Sequence, residues 1–185
     1  MKLKKFNFKI INSTNDCAFQ IIKNTNNKSG IVIAEEQKKG RGQYGKKWTS
    51  SKGNLFVSIF FPIDKIKISF KDLTKLNCLL VRMLLSNFYK KKITIKNPND
   101  LLINKMKISG ILQETICKSN TKFIIVGIGA NLIKSPILKD YPTTNLLDLT
   151  RVKITPYNAV LNLTKIYEKF IPVFPKFNIK NIKRI

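Results

Sequence analysis

Between residues 93 and 128 the chain carries four short apolar runs, 93–96, 101–103, 107–114 and 123–128, broken only by brief polar stretches. Runs of this length, rich in Ile and Leu and bounded by Asn, Lys and Gly, read as strands, and Asn104-Lys105 is placed to turn a hairpin between the middle two. An alternating stretch at 6–11 and apolar runs at 30–34 and 55–61 add three more strands. Helical spacing is confined to three places. Ser13 and Thr14 offer N-cap hydroxyls to a segment carrying Ala18, Phe19, Ile21 and Ile22. Residues 73–89 have apolar side chains at 73, 76, 79, 80, 83, 84 and 88. Thr155-Pro156 opens a third helix that runs to about Phe170, with Val160, Leu163, Ile166, Tyr167 and Phe170 on its apolar face. The order of elements predicts an α+β fold, a sheet of hairpins and adjacent strands covered by a few helices.

At 185 residues, 43% of them hydrophobic, the chain is long enough for one domain with a real core. No apolar run approaches the roughly 18 residues of a membrane span, and residues 1–8 lack the apolar region of about 7–15 residues found in signal peptides. The expectation is a soluble cytoplasmic protein. Cys17, Cys78 and Cys117 are far apart, form no CxxC pair and come without a single histidine, so they read as reduced thiols. The missing histidine also excludes Ser-His-Asp and Cys-His catalysis; any chemistry must run on Lys, Arg, Asp, Asn and backbone groups. The formal charge of +25 invites a nucleic-acid reading. The lysines are scattered, however, and only Arg41, Arg82, Arg151 and Arg184 are arginines, so the charge points weakly to any one partner.

Three segments carry chemistry. In Gly40-Arg41-Gly42-Gln43-Tyr44-Gly45-Lys46-Lys47-Trp48, three glycines let the backbone approach a ligand, cations complement phosphate or carboxylate, and the only Trp of the chain offers a flat wall. The loop is neither a Walker loop nor a GxGxxG dinucleotide turn, because the residues after Gly45 do not open an apolar helix. In the second segment, Lys96-Asn97-Pro98-Asn99-Asp100 precedes 105–114, and a hairpin of suitable register returns Lys107 toward the Pro-Asn-Asp turn. The third, Gly127-Ile128-Gly129-Ala130-Asn131, ends an apolar strand with two glycines, a place for close backbone approach.

Together these segments resemble the biotin protein ligases. That family's loop reads close to GRGRxGRxW, its second motif KWPND followed by K-hydrophobic-small-G-I-L-x-E, and its third G-I-G-x-N. The matches here are Gly40-Arg41-Gly42, Gly45 and Trp48, then Lys96, Pro98-Asn99-Asp100 and 107–114, then Gly127-Ile128-Gly129 and Asn131. Ser13-Thr14-Asn15 matches the family's S-T-N, and Gln37 stands where its biotin-contacting Gln is found. The likeness spans about 6–170. It implies the fold shared with class II aminoacyl-tRNA synthetases, a mixed, largely antiparallel sheet backed by helices. Residues 1–171 would be the catalytic domain and 172–185 a short tail, with the family's small β-barrel missing or vestigial and no DNA-binding helix-turn-helix ahead of the core. Gln43 and Lys46 stand where Arg is common, which implies weaker closure over an adenylate; Asn97 replaces the usual Trp.

The resemblance implies a two-step reaction with ATP and Mg²⁺: biotin and ATP give biotinyl-5′-AMP and pyrophosphate, and a carrier lysine then takes the biotin. Ser13, Thr14, Asn15 and Gln37 would hold biotin's ureido end, with Gly40, Arg41, Gly42, Lys107 and Gly110 completing its site. Arg41, Gln43, Lys46, Trp48, Asn99, Asp100, Lys107 and Asn131 would hold the nucleotide, and Lys107, Arg41 and Asp100 would be catalytic. Mg²⁺ would come mainly on the ATP phosphates, with Asp100 as its one protein candidate. The implied partner is the biotin carboxyl carrier protein of acetyl-CoA carboxylase or a related carboxylase; neither DNA nor membrane is expected, and a homodimer is left open. The rival readings are a lipoate or octanoate ligase of the same superfamily, a basic nucleic-acid-binding module, and a catalytically dead biotin-binding regulator. The loop 38–48, poor in apolar residues, is expected to be mobile until a ligand orders it.

Overall fold

Short strands that alternate between large apolar and small or polar residues need a different neighbour on each face, and the sheet of this chain supplies two. The computed structural model describes residues 1–138 and 141–176. Its strands are β1 (Lys4–Ile11), β2 (Gly30–Gln37), β3 (Leu55–Pro62), β4 (Thr94–Lys96), β5 (Asp100–Ile103), β6 (Met106–Lys118) and β7 (Thr121–Ala130). They form one seven-stranded sheet in the order β1-β2-β3-β7-β6-β5-β4. Only β1 and β2 are parallel; the other neighbours are antiparallel, so the sheet is mixed and largely antiparallel as expected. Ile103 faces Met106 across Asn104 and Lys105, both at positive φ (51° and 64°), the pattern of a two-residue hairpin turn.

The helices are α1 (Thr14–Asn24), α2 (Phe70–Ser86), α3 (Leu146–Thr150) and α4 (Pro156–Phe170). Ser13 caps α1, accepting from the Asp16 N–H at 3.3 Å, and Thr155 caps α4 ahead of Pro156. Helix α2 starts three residues before the apolar spacing does, because Ser69 caps it through the Asp72 N–H at 3.1 Å. The one-turn α3 was not anticipated; five residues are too few to show a period.

The face that α2 and α4 cover is uniformly large and apolar: Leu55, Val57, Ile59 and Phe61 of β3 and Ile124, Val126 and Ile128 of β7 belong to one buried cluster with Leu76, Leu80 and Leu84 of α2 and Leu163 of α4. A hydrogen-bonded line crosses this core. The Tyr167 hydroxyl donates to Asn77 Oδ1 (2.9 Å), Asn77 Nδ2 to Gln113 Oε1 (2.7 Å) and Gln113 Nε2 to the Phe70 carbonyl (3.0 Å). Tyr167→Phe keeps the packing and strands a buried amide oxygen, so it is expected to cost about 1–2 kcal/mol, read as a lower urea midpoint at unchanged slope.

The opposite face is divided. Ala18 and Ile22 of α1 pack with Val32, Phe60, Phe123 and Ile125 at one end, while at the other end the same face presents Ser58, Gly127, Gly129 and Gly110. That patch, with Phe56 and Leu112 beside the glycines, is the floor of a cleft. Beyond residue 171 a 3₁₀ turn spans Ile171–Lys176, and its Phe174 is fully buried, 5.8 Å ring to ring from Phe61. The rest of the expected tail, 177–185, lies outside the described residues.

Candidate active site

Gly127, Gly129 and Gly110 are opposite one another or opposite small residues on the central strands, and each lies under a side chain that a Cβ would displace. A Cβ on Gly127 would run into the Asn15 amide, one on Gly129 into the Trp48 indole, and one on Gly110 would lie 2.9 Å from Trp48 Cζ3 and 3.1 Å from Lys107 Cε. Asn15, Trp48 and Lys107 thus rest directly on backbone. Around them opens a cleft of about 680 Å³, the size of a cofactor site. Every residue expected to bind or act on a ligand lines it except Gly40, where a Cβ would meet the Trp48 carbonyl at 2.6 Å.

At one end of the cleft, the N-terminus of α1 presents a buried polar group. Gln37 Oε1 accepts from the Thr14 N–H (2.8 Å) and lies 3.1 Å from Thr14 Oγ1, while Gln37 Nε2 donates to Ser50 Oγ (3.1 Å). Ser58 Oγ lies 2.7 Å from Thr14 Oγ1 and 2.5 Å from Asn15 Oδ1. Two hydroxyl hydrogens serve these three oxygen–oxygen contacts, so one contact is always short of a proton. A ligand N–H placed beside Thr14 and Gln37 would donate to one of these oxygens and let the two hydroxyls turn to the others. Asn15 Nδ2 in turn donates to Glu114 Oε2 at 2.6 Å.

The loop forms a small closed hairpin. Arg41 bridges to Lys47, the Gly42 N–H donates to the Lys46 carbonyl (2.6 Å), and Tyr44 and Gly45 take positive φ in the 3₁₀ turn Gln43–Gly45. Gln43 and Lys46 line the cleft mouth, and Tyr44 is almost wholly exposed at the tip. Arg41 is not directed at an open anion site. Its guanidinium is held between Glu114 (3.0 and 2.8 Å) and Asp16 (2.7 Å). Partial desolvation opposes its charge, but the bonds and charges of Glu114 and Asp16 outweigh that and raise its pKa further. For Arg41 to hold a carboxylate or phosphate, a ligand must displace two carboxylates from it. The Trp48 indole N–H is buried without a partner among the described residues. An orphan donor costs on the order of 1–3 kcal/mol, which a ligand acceptor or a shift of the ring would recover.

At the other end, Lys107 Nζ is 2.7 Å from Asp100 Oδ1 and 5.4 Å from the centroid of the Trp48 ring. A β-bulge makes this possible. Leu101 pairs with Ser109 but Leu102 with Lys107, leaving Ile108 as the extra residue, so Lys107 reaches the same face as Gly110 and Ile108 turns into the helix-side core. Asn99 Nδ2 is committed to the Ile111 carbonyl (2.6 Å), and Asn131 Nδ2 to the Thr144 carbonyl (3.0 Å). Both amides line the cleft while bracing its wall.

A family model described as the biotin/lipoate A/B protein ligase family matches residues 7–131. The chain belongs to that family. It is 28% identical over 168 residues to the bifunctional ligase/repressor BirA of Bacillus subtilis (86% of this chain, 51% of that protein) and 33% identical over 126 residues to BirA of Escherichia coli (66% and 39%). It therefore spans about half the length, or less, of these relatives. The fold is that of the biotin protein ligase from Aquifex aeolicus in complex with biotin and ATP, with a TM-score of 0.83, 24% identity, and coverage of 98% of this chain and 75% of that one.

In this member of the biotin/lipoate ligase family, Asp100 is not arranged as a metal ligand. Its Oδ1 is taken by Lys107, its Oδ2 accepts from the Tyr141 hydroxyl at 3.0 Å, and no group of three His, Cys, Asp or Glu side chains that could hold a metal occurs among the described residues. The donor set does not fit a protein-held Mg²⁺. Among the described residues no cysteine lines the cleft, and burial pushes the Cys78 thiol up to about 12. No described helix is long and apolar enough to cross a membrane.

Ser58, Asp16 and Tyr141 were not singled out from the sequence, and Glu114 was noted only as the end of a motif. Strand parity could have found Ser58, the one polar residue in the run 55–61, as a pocket residue. Nothing local marks Tyr141.

Proposed function

We propose that this chain is the catalytic core of an ATP-dependent biotin protein ligase. The observation that carries the reading is the pairing, on one glycine-floored cleft, of a proton-deficient Thr14–Ser58–Gln37 group with a caged ammonium, Lys107. A cyclic urea has one carbonyl acceptor and two N–H donors, which suits the first; a carboxylate meeting a phosphate needs the second. Supporting it, the Aquifex structure of the same fold is described as holding biotin and ATP, and relatives include a biotin–[acetyl-CoA-carboxylase] ligase of Paracoccus denitrificans, 31% identical over 111 residues.

In this reading a biotin carboxylate oxygen attacks the α-phosphorus of ATP, the bond to the β-phosphate oxygen breaks, and biotinyl-5′-AMP and pyrophosphate form. Lys107 leaves Asp100 for the α-phosphate oxygens, Trp48 walls the adenine, and Asn131 and Asn99 brace that wall. Arg41 moves from Glu114 and Asp16 to the anhydride. Mg²⁺ travels on the ATP phosphates, so no step is routed through a protein metal site. The carrier lysine, as free amine, then attacks the acyl carbon; AMP leaves and the new ammonium loses a proton. Asp100, once Lys107 has left it, is the carboxylate available to receive that proton. The acceptor is a biotin carboxyl carrier domain, which the lysine-rich surface would attract if acidic. The same reading makes the protein cytoplasmic.

Pyrophosphate release measured with biotin, lipoate and octanoate in turn tests this. Release with biotin alone and trapping of biotinyl-AMP are expected; release with lipoate or octanoate but not biotin would move the chain to the other branch of the family. Gln43→Arg adds a cation at the cleft mouth, worth about 1 kcal/mol at an exposed site, and should slow adenylate dissociation about fivefold in a rapid-dilution assay.

A further inference from the structure

Lys107 and Asp100 are engaged with each other at 2.7 Å, with side chains only 22% and 17% exposed, so neither is free to act on a ligand as it stands. For the ammonium to reach a phosphate it must turn away from Asp100. A carboxylate this buried, left with no partner, pays heavily in lost hydration. The structure places a second partner on Asp100 in advance. The Tyr141 hydroxyl donates to Oδ2, the oxygen that Lys107 does not use, at 3.0 Å. Burial first, then the charge of Asp100 and the hydrogen bond, push the Tyr141 phenol up to about 12, so it remains a donor throughout the neutral range.

The placement of Tyr141 does not depend on its own hydroxyl. Thr143 makes a parallel bridge to Lys107: the Lys107 N–H donates to the Pro142 carbonyl (2.8 Å), and the Thr144 N–H donates to the Lys107 carbonyl (2.9 Å). Asn131 Nδ2 pins the Thr144 carbonyl. The Tyr141 ring is also flanked by the ammonium groups of Lys96 (4.5 Å) and Lys107 (5.5 Å), both near enough to hold it by cation–π attraction. The strap and the ring are thus anchored by contacts that a Tyr141→Phe change leaves intact.

We propose that Tyr141 is a positioning residue whose hydroxyl holds Asp100 while Lys107 leaves it for the reacting phosphate. The role rests on the ligase reading above. The phenol does not touch the substrates; it lowers the cost of freeing the cation, a cost incurred on the way to the transition state and not when biotin binds. Tyr141→Phe should therefore lower kcat for adenylate formation about three- to tenfold, the part of a hydrogen bond to a charged group that is gained when Lys107 leaves Asp100, with KM for biotin and ATP unchanged within about twofold. The loss should disappear when the change is made in an Asp100→Asn background, because the carboxylate that needs holding is gone.

The experiment is single-turnover acyl-adenylate formation by wild type, Tyr141→Phe, Tyr141→Ala, Asp100→Asn and the Tyr141→Phe/Asp100→Asn double variant, with KM measured for each substrate and thermal unfolding recorded for all five. A kcat loss in Tyr141→Phe, at unchanged melting temperature and KM, that is absent in the Asp100→Asn background supports the inference. Tyr141→Phe as fast as wild type overturns it, even if Tyr141→Ala is slow, since the ring alone would then matter. An equal loss in both backgrounds, or a loss carried in KM, overturns it as well. Wild type that uses lipoate or octanoate in place of biotin sinks the biotin reading alone, and the Tyr141 comparison is then made on that acid. Wild type that activates none of the three sinks both.

Discussion

Lys107→Ala is expected to slow acyl-adenylate formation by about 10²–10³-fold, roughly 3–4 kcal/mol of barrier, while biotin affinity stays within a few-fold of wild type. In a chain with 35 basic residues most lysines are solvated surface groups, and the spacing around Lys107 alone does not exempt it. Its setting does. The β-bulge turns it into the cleft, the missing Cβ of Gly110 leaves room for its Cε, and Asp100 holds its ammonium beside the Trp48 ring. An ammonium placed at an α-phosphate interacts more strongly as negative charge gathers on the phosphoryl oxygens, so its loss falls on the rate and little on ground-state binding. The Thr14–Ser58–Gln37 group proposed for the ureido end has no contact with Lys107, which is why biotin should still bind. Isothermal titration with biotin, set beside quenched-flow adenylate formation, separates the two. Near-normal turnover would remove Lys107 from the chemistry, and a large loss of biotin affinity at intact turnover would make it a binding residue.

The next largest effect belongs to Gly129→Val. Gly129 is paired with Phe56 and Gly110 in the middle of the sheet, and even a single Cβ there would run into the Trp48 ring, with the indole nitrogen 2.7 Å away. The strand cannot retreat, because β3 and β6 hold it on both sides. The indole must therefore lift, and with it the hairpin closed by the Trp48 N–H bond to the Gly40 carbonyl (2.9 Å). Overpacking of this kind costs about 1–3 kcal/mol, and a rigid bicyclic ring puts it toward the upper end. If the cost falls on the closed cleft, KM for ATP should rise roughly 30- to 100-fold with little change in the unfolding midpoint. Trp48 is the only Trp, so its emission reports the movement directly: a red shift in the variant is expected without ligand. An unshifted spectrum with unchanged KM would show that the ring has another place to go and is not the nucleotide wall.

The elements of this fold were legible because its local signals agree with one another. Ser13, Thr155 and Asn104 sit at the junctions their side chains and backbone preferences favour, and the long apolar face of α2 has no competing period. The loop 38–48 reads as mobile until a ligand orders it; what its sequence does not show is the hairpin made by backbone bonds among Gly40, Gly42, Lys46 and Trp48, none of which leaves a side-chain pattern. Residues 172–185 read as a tail because they are too short for an independent domain; the packing of the Phe174 ring on Phe61 leaves no mark in the sequence pattern.

For the site, sequence alone determined which residue types are available and where the backbone must come close. Without histidine the chemistry rests on lysine, arginine and carboxylates, and the glycines at 110, 127 and 129 mark strand positions where a side chain from elsewhere lies on bare backbone. Tertiary structure decided which groups meet. Strict alternation along β6 would put Lys107 and Gly110, three residues apart, on opposite faces; the bulge at Ile108 reverses that parity and brings the cation into the cleft. Arg41 looks like a free anion ligand in its loop, but α1 brings Asp16 and β6 brings Glu114 to it, from 25 and 73 residues away. Tyr141 reaches Asp100 across 41 residues. Contacts of that separation are set by how strands and straps are stacked, and a one-dimensional pattern holds no record of them.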